Sequence, residues 1–175
     1  MTESFWTWRR ATAAKGIAAA VLTFPFAVWG LYRWWPVSYA DEDRLGVITL
    51  AMQWMPLVGV FLFFMFTQTA RLFDTKGAEE VLAGKESTRW KKNARIYSNS
   101  VEQALTFATM LAGLAAVVPA SQAAILPVLV TLWLFGRVTF FIAYHIDPAY
   151  RAFGFDYTLF PSLTAAGWFL VTIGS

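Results

Sequence analysis

The sequence contains no cysteine and a single histidine, His145. Without thiols the chain can form no disulfide, no Cys-based metal site and no thiolate nucleophile of its own. One imidazole cannot build a histidine-cluster metal site within one chain. Any thiol chemistry must therefore use a thiol carried by a substrate. Charge is also scarce: charged residues make up 14% of the 175 positions and hydrophobic ones 58%. A soluble domain carries about 25% charged residues. Gly-rich phosphate loops, a Gly-x-Ser-x-Gly elbow and DNA-binding motifs are missing too. The net charge of +3 in so apolar a chain speaks to membrane topology and anionic headgroups, so neither nucleic acid nor a metal is expected as a partner.

What is present is long apolar sequence. Five segments stand out, at roughly 14–35, 46–72, 97–119, 122–146 and 156–174, with Pro25 and Pro56 inside the first two. Each is close to the ~20 residues that span ~30 Å of hydrocarbon as a helix. Their all-round apolarity excludes the alternation of a barrel strand, and internal prolines are tolerated where neighbouring helices satisfy the freed carbonyls. The expected fold class is an all-α integral membrane protein, an up-down helix bundle. Arg9, Arg10 and Lys15 precede the first segment; Lys76, Lys85, Arg89, Lys91, Lys92 and Arg95 follow the second; Arg151 follows the fourth. The 36–45 loop is acidic and the turn near 118–122 is uncharged. Positive charge on every second side puts the N-terminus in the cytoplasm and the C-terminus outside. Trp6, Trp8, Trp34, Trp35 and Trp90 fall at predicted helix ends, where interfacial anchors sit. The first segment also resembles a signal peptide ending at Ser38-Tyr39-Ala40, but its length and the interrupting Arg33-Trp34-Trp35-Pro36 favour a retained helix. The 74–92 stretch reads as a solvated linker with a short surface helix between Gly77 and Gly84.

Two polar stripes enter the apolar sequence. Arg95, Asn99 and Glu102 are spaced i, i+4, i+7 and share one helix face. Arg137, Tyr144 and Arg151 are spaced i, i+7, i+14 on the next segment, on one face if that helix continues through Asp147-Pro148, where a residue before proline avoids helical geometry. The short turn makes the two helices antiparallel neighbours, with both stripes toward the cytoplasmic end. Taken alone, Glu102 and Arg137 read as a structural intramembrane ion pair that fixes register. Taken with Asn99, Tyr144, Arg95 and Arg151, they line a pocket of cationic donors suited to a polar anionic ligand beside a lipophilic one. His145 points about 100° away from Tyr144 and is assigned no role.

The text ARIYSNSVEQALTF and LFGRVTFFIAYHIDPAYR, that is Arg-x3-Asn-x2-Glu followed by Arg-x6-Tyr-x6-Arg, resembles the MAPEG family, the membrane-associated proteins of eicosanoid and glutathione metabolism. GRVTFFIAY is similar to the corresponding stretch of the prostaglandin synthase branch. The resemblance implies a four-helix transmembrane domain over 46–175, with 1–45 holding an extra transmembrane helix and an acidic loop. It further implies a homotrimer that binds glutathione as cosubstrate between subunits, at the cytoplasmic end. Carried over residue by residue, it assigns Arg95, Asn99, Glu102, Arg137, Tyr144 and Arg71 to glutathione and Arg151 to the thiolate. The expected function is a glutathione-dependent transferase or peroxidase acting on lipophilic electrophiles. Phe140 stands where family enzymes often carry Tyr or His, and Ala152 stands where the prostaglandin branch has a hydroxyl. Two readings compete: a non-catalytic lipid-binding or scaffold protein of the same fold, and an unrelated membrane protein whose ion pair is only structural. The absence of cysteine and the short basic loops suit a bacterial inner membrane and leave an endoplasmic-reticulum location open.

Overall fold

The computed structural model describes residues 3–69 and 87–174, with side-chain surroundings from residue 7 onward. Five α-helices account for most of it: α1 (Glu3–Arg33), α2 (Arg44–Thr69), α3 (Thr88–Val117), α4 (Ile125–Ile146) and α5 (Ala152–Gly174). Single 3-10 turns, Ala120–Gln122 and Pro148–Arg151, flank α4. All five helices are long and apolar enough to cross a membrane. Each of the five expected segments thus corresponds to one helix, but three begin four or more residues earlier than apolarity alone suggests. α1 starts at Glu3 rather than 14, α3 at Thr88 rather than 97, and α5 at Ala152 rather than 156. The polar sequences WRRATAAK and TRWKKNAR have good helix formers and no breaker, so the helices run on past the apolar zone. Ser87 caps α3 by accepting a hydrogen bond from the Trp90 amide at 3.0 Å.

The bundle is up-down, as expected, and α4 is its axis, packed against all four other helices. The register of α3 against α4 follows from three contacts. His145 Nε2 meets Asn93 Oδ1 at 2.9 Å, Arg137 Nη1 donates to Asn99 Oδ1 at 2.9 Å, and Phe107 stacks on Trp133 at 5.8 Å. As residue numbers rise on one helix they fall on the other, so the two are antiparallel. At the end of the bundle carrying the N-terminus, Trp90 Nε1 donates to the Thr69 carbonyl at 2.9 Å and Asn93 Nδ2 to that of Gln68 at 3.2 Å. Trp90, expected as an interfacial anchor, therefore joins α2 to α3. At the other end, Arg44 donates to the Val118 carbonyl at 2.8 Å.

Glycine decides how closely α4 and α5 approach. A Cβ at Gly136 would lie 2.7 Å from the Thr158 amide nitrogen, and one at Gly154 would collide with the Phe140 backbone. Small residues at such crossings let two backbones touch, which is how helices pack where lipid removes the hydrophobic drive between them. α1 packs along α5, its Phe24 edge-on to Tyr157 at 5.5 Å and tilted on Phe160 at 5.1 Å. Gly136→Ala and Gly154→Ala are each expected to destabilise the protein by about 1–3 kcal/mol, the cost of overpacking a tight core. Gly59→Ala, whose new Cβ would meet nothing within 4 Å, should leave stability unchanged or slightly raised; detergent-resistant thermal unfolding of the three variants checks this.

Candidate functional site

The site grows from one side chain. Arg137 lies midway along α4 and is fully buried, at 0% exposure. Its Nε donates to Thr158 Oγ1 on α5 at 2.8 Å. Its Nη1 donates to Asn99 Oδ1 at 2.9 Å and to Ser100 Oγ at 3.4 Å, both on α3. The guanidinium carbon sits 4.7 Å from the Phe140 ring centroid and 5.8 Å from that of Trp133, so aromatic faces close over the cation. Thr158 can serve because its own hydroxyl hydrogen goes to the Gly154 carbonyl at 2.8 Å, which leaves the oxygen free to accept. Nη2 is buried with no hydrogen-bond partner among the described residues. A membrane-embedded arginine is thus held by an amide and hydroxyls, with no carboxylate beside it among the described residues.

The expected Glu102–Arg137 ion pair does not form. Glu102 is exposed, and its Oε1 accepts from Ser98 Oγ one turn back at 3.4 Å. The reason is helical phase. The buried positions of α3 are Asn93, Ile96, Ser100, Ala104, Phe107, Leu111, Leu114 and Ala115. The stripe of Arg95, Asn99 and Glu102 runs one residue round from that line, along its flank. Asn99 is half-buried and reaches inward, whereas Arg95 and Glu102 are exposed. Among the described residues no hydrogen bond or ion pair joins either of them to Arg137, Tyr144 or Arg151.

The second group lies at the end of α4. Tyr144 is buried against Met65, Ile96 and Phe140. The helix stops at Asp147, whose φ of −151° and ψ of 133° are extended, as the following proline demands. Asp147 Oδ1 accepts from the Ala149 amide at 2.7 Å and starts the 3-10 turn. The expected break is therefore real, yet the turn returns Arg151 to Tyr144, its guanidinium carbon 5.7 Å from the ring centroid. Arg151 itself is exposed. Arg71 lies outside the described residues, as does the stretch 70–86 that contains most of the expected surface linker.

Several participants escaped the sequence reading. Ser100 and Thr158 complete the Arg137 cradle, and each lies on a buried helical stripe with a hydroxyl among apolar neighbours, which was the available signal. His145 was given no role, but it fastens α3 to α4: Nδ1 lies 2.9 Å from the Phe141 carbonyl and Nε2 the same distance from Asn93 Oδ1. Arg9, read only as a topology signal, forms a 3.8 Å salt bridge with Asp147. Replacing Asn99 by Leu should cost about 1.5–3 kcal/mol, because a charged donor in the core loses its acceptor. Glu102→Gln should move stability by less than about 0.5 kcal/mol, as for an exposed residue. Equilibrium unfolding in detergent checks both, and a large cost for Glu102→Gln would restore the ion pair.

Arg9 apart, these side chains lie between the start of α2 and the end of α5. Among known families, the model of the MAPEG family matches residues 47–171, which takes in both polar stripes and leaves α1 outside. No curated protein and no solved structure matches the chain.

Proposed function

The chain belongs to the MAPEG family, and from that premise we propose that it is a membrane-bound, glutathione-dependent transferase or peroxidase acting on lipophilic electrophiles. The observation that carries this reading is the buried Arg137, which among the described residues has no counter-charge and leaves Nη2 unpartnered, with Asn99 extending from it to the surface of α3. A cation in hydrocarbon with only neutral partners is costly, and a carboxylate supplied by a ligand at this edge would offset the cost. Glutathione fits the donor set chemically. Its two carboxylates suit guanidinium donors, its amine suits the exposed carboxylate of Glu102, and its thiol supplies the nucleophile that a cysteine-free chain lacks.

In this reading Arg95, Asn99 and Glu102 bind the tripeptide on the open face of α3, Arg137 backs Asn99, and Arg71 adds a further cation. Tyr144 and Arg151 stand at the thiol. A guanidinium near the sulfur lowers its pKa, so the thiolate is present at neutral pH. The thiolate then attacks the electrophilic carbon and forms a C–S bond while the leaving group departs with its electron pair. With a hydroperoxide it attacks the outer oxygen, the O–O bond breaks and the alcohol leaves, and a second glutathione condenses with the resulting sulfenic acid to give the disulfide and water. Arg95 and Glu102 are open in a single chain, so closing the site by a neighbouring subunit of a homotrimer belongs to the proposal. The N-terminus then lies in the cytoplasm of a bacterial inner membrane. A lipid-binding, non-catalytic role is the second reading, favoured by Phe140: it is packed beneath Arg137 as an apolar lid, where a polar ligand would otherwise stand.

Calorimetry with glutathione on the detergent-purified protein tests the first reading. Saturable binding that weakens at least about tenfold in an Arg95→Ala/Arg151→Ala double variant, one lost charge-assisted contact or more, is the expected result. Wild-type protein that is folded and trimeric yet binds no glutathione sinks it. Turnover of a generic electrophile should fall in Arg151→Ala more through kcat than through KM, since the thiolate matters to the chemical step.

A further inference from the structure

The helix that lies outside the family match builds a pocket of its own. Trp8 of α1 packs edge-on to Tyr150 at 6.2 Å, and the Arg9–Asp147 salt bridge holds α1 to the same 3-10 turn that carries Arg151. Gly16 lets the helices close, since a Cβ there would lie 3.0 Å from the Phe153 amide nitrogen. Between α1 and the start of α5 this leaves a cavity of about 560 Å³. Arg9, Arg10 and Arg151 stand in its wall with Asp156, while Ile17 and Phe155 supply apolar lining. Among the described residues Arg9 is paired with Asp147, and Arg10 and Arg151 share the single carboxylate of Asp156, which leaves this part of the pocket cationic by one charge.

The pocket is also the head of a longer seam. One turn beyond Ile17, a hollow of about 260 Å³ opens between α1 and α5 at Val21, Phe24, Pro25 and Leu163. Val21 and Leu163 in its wall are exposed. From Ala13 to Phe24 the α1 axis rises about 16 Å, which is about half of the ~30 Å hydrocarbon core. A cationic head followed by an apolar track one leaflet deep is complementary to an amphiphile with a single negative charge.

We propose that the α1–α5 seam binds an anionic phospholipid of the surrounding bilayer. Its phosphodiester sits at Arg10 and Arg151, and one acyl chain lies past Ile17 and Phe155 toward Phe24. The phosphodiester monoanion matches the charge excess of the pocket, and Arg forks suit phosphate oxygens. The positive-inside rule places this head in the cytoplasmic leaflet, where anionic lipid attracts basic residues. The site is separate from glutathione binding except at Arg151, so the test uses Arg10, which has no part in that binding.

The experiment measures lipid retention by native mass spectrometry and thermal stability in detergent, with phosphatidylglycerol, phosphatidylcholine of the same chains, oleate or inorganic phosphate added. Phosphatidylglycerol should be retained and should raise the unfolding temperature more than phosphatidylcholine does. Arg10→Gln should lower phosphatidylglycerol affinity about fivefold, the effect of one basic residue at a membrane surface, with its stability in phosphatidylcholine unchanged because Arg10 is exposed. Ile17→Trp, which fills the track, should also reduce retention while leaving any effect of inorganic phosphate intact. Equal stabilisation by both phospholipids overturns the proposal, as does undiminished phosphatidylglycerol binding by folded Arg10→Gln. Oleate or inorganic phosphate matching phosphatidylglycerol at equal concentration overturns the assignment of a phospholipid as the occupant.

Discussion

A guanidinium buried in an apolar bundle has to be solvated by the protein itself, and the arrangement of three helices follows from how that is done. Arg137 takes one acceptor from α5 and two from α3, so neither neighbour can shift along α4 without stranding a charged donor. Gly136, adjacent in sequence, and Gly154 across the interface bring the backbones close enough for the Thr158 hydroxyl to reach Nε. Close packing and polar satisfaction are here one requirement. Among the described residues, aromatic rings rather than an acid close over the cation.

Five spanning helices, their up-down order and the polar content of α3 and α4 were legible in the sequence, because run length and charge asymmetry report them directly. Helix starts were not. Trp8 to Lys15 and Thr88 to Arg95 are polar, and an apolarity reading stops where the helix does not. The pairing of Glu102 with Arg137 was misjudged for a different reason. Spacing identifies which residues share a face, but the phase of that face against a neighbouring helix is set by packing. The heptad-like line of Ile96, Ser100, Ala104, Phe107, Leu111 and Leu114 carries the more apolar side chains, and it is this line that turns inward. Asn99 sits at its margin and serves both sides. Arg9 and Arg10 were visible as charges, but their meeting with Arg151 depends on the two ends of the chain coming together.

The turn after α4 shows how much one residue can organise. Asp147 ends the helix, caps the 3-10 turn through the Ala149 amide and accepts the Arg9 salt bridge. Arg151 owes its place over Tyr144 to that turn, so the residue assigned to the thiolate is positioned by an interaction whose other half comes from α1. A helix outside the family's matched region thereby touches a turn inside it.

Contact between α1 and α5 also orders events in time. Of the five helices α1 leaves the ribosome first and α5 last, and about three quarters of the sequence separates Phe24 from Tyr157 and Phe160. Loops of that span are slow to close, and domains assemble as synthesis proceeds. Until α5 is inserted, α1 lacks the partner for Phe24 and has only α4 and its following turn to pack on, and α4 holds Arg137 without Thr158. The last helix therefore completes two unfinished interfaces in one step, and nascent chains stalled before residue 152 would be the form in which a quality-control protease meets this protein.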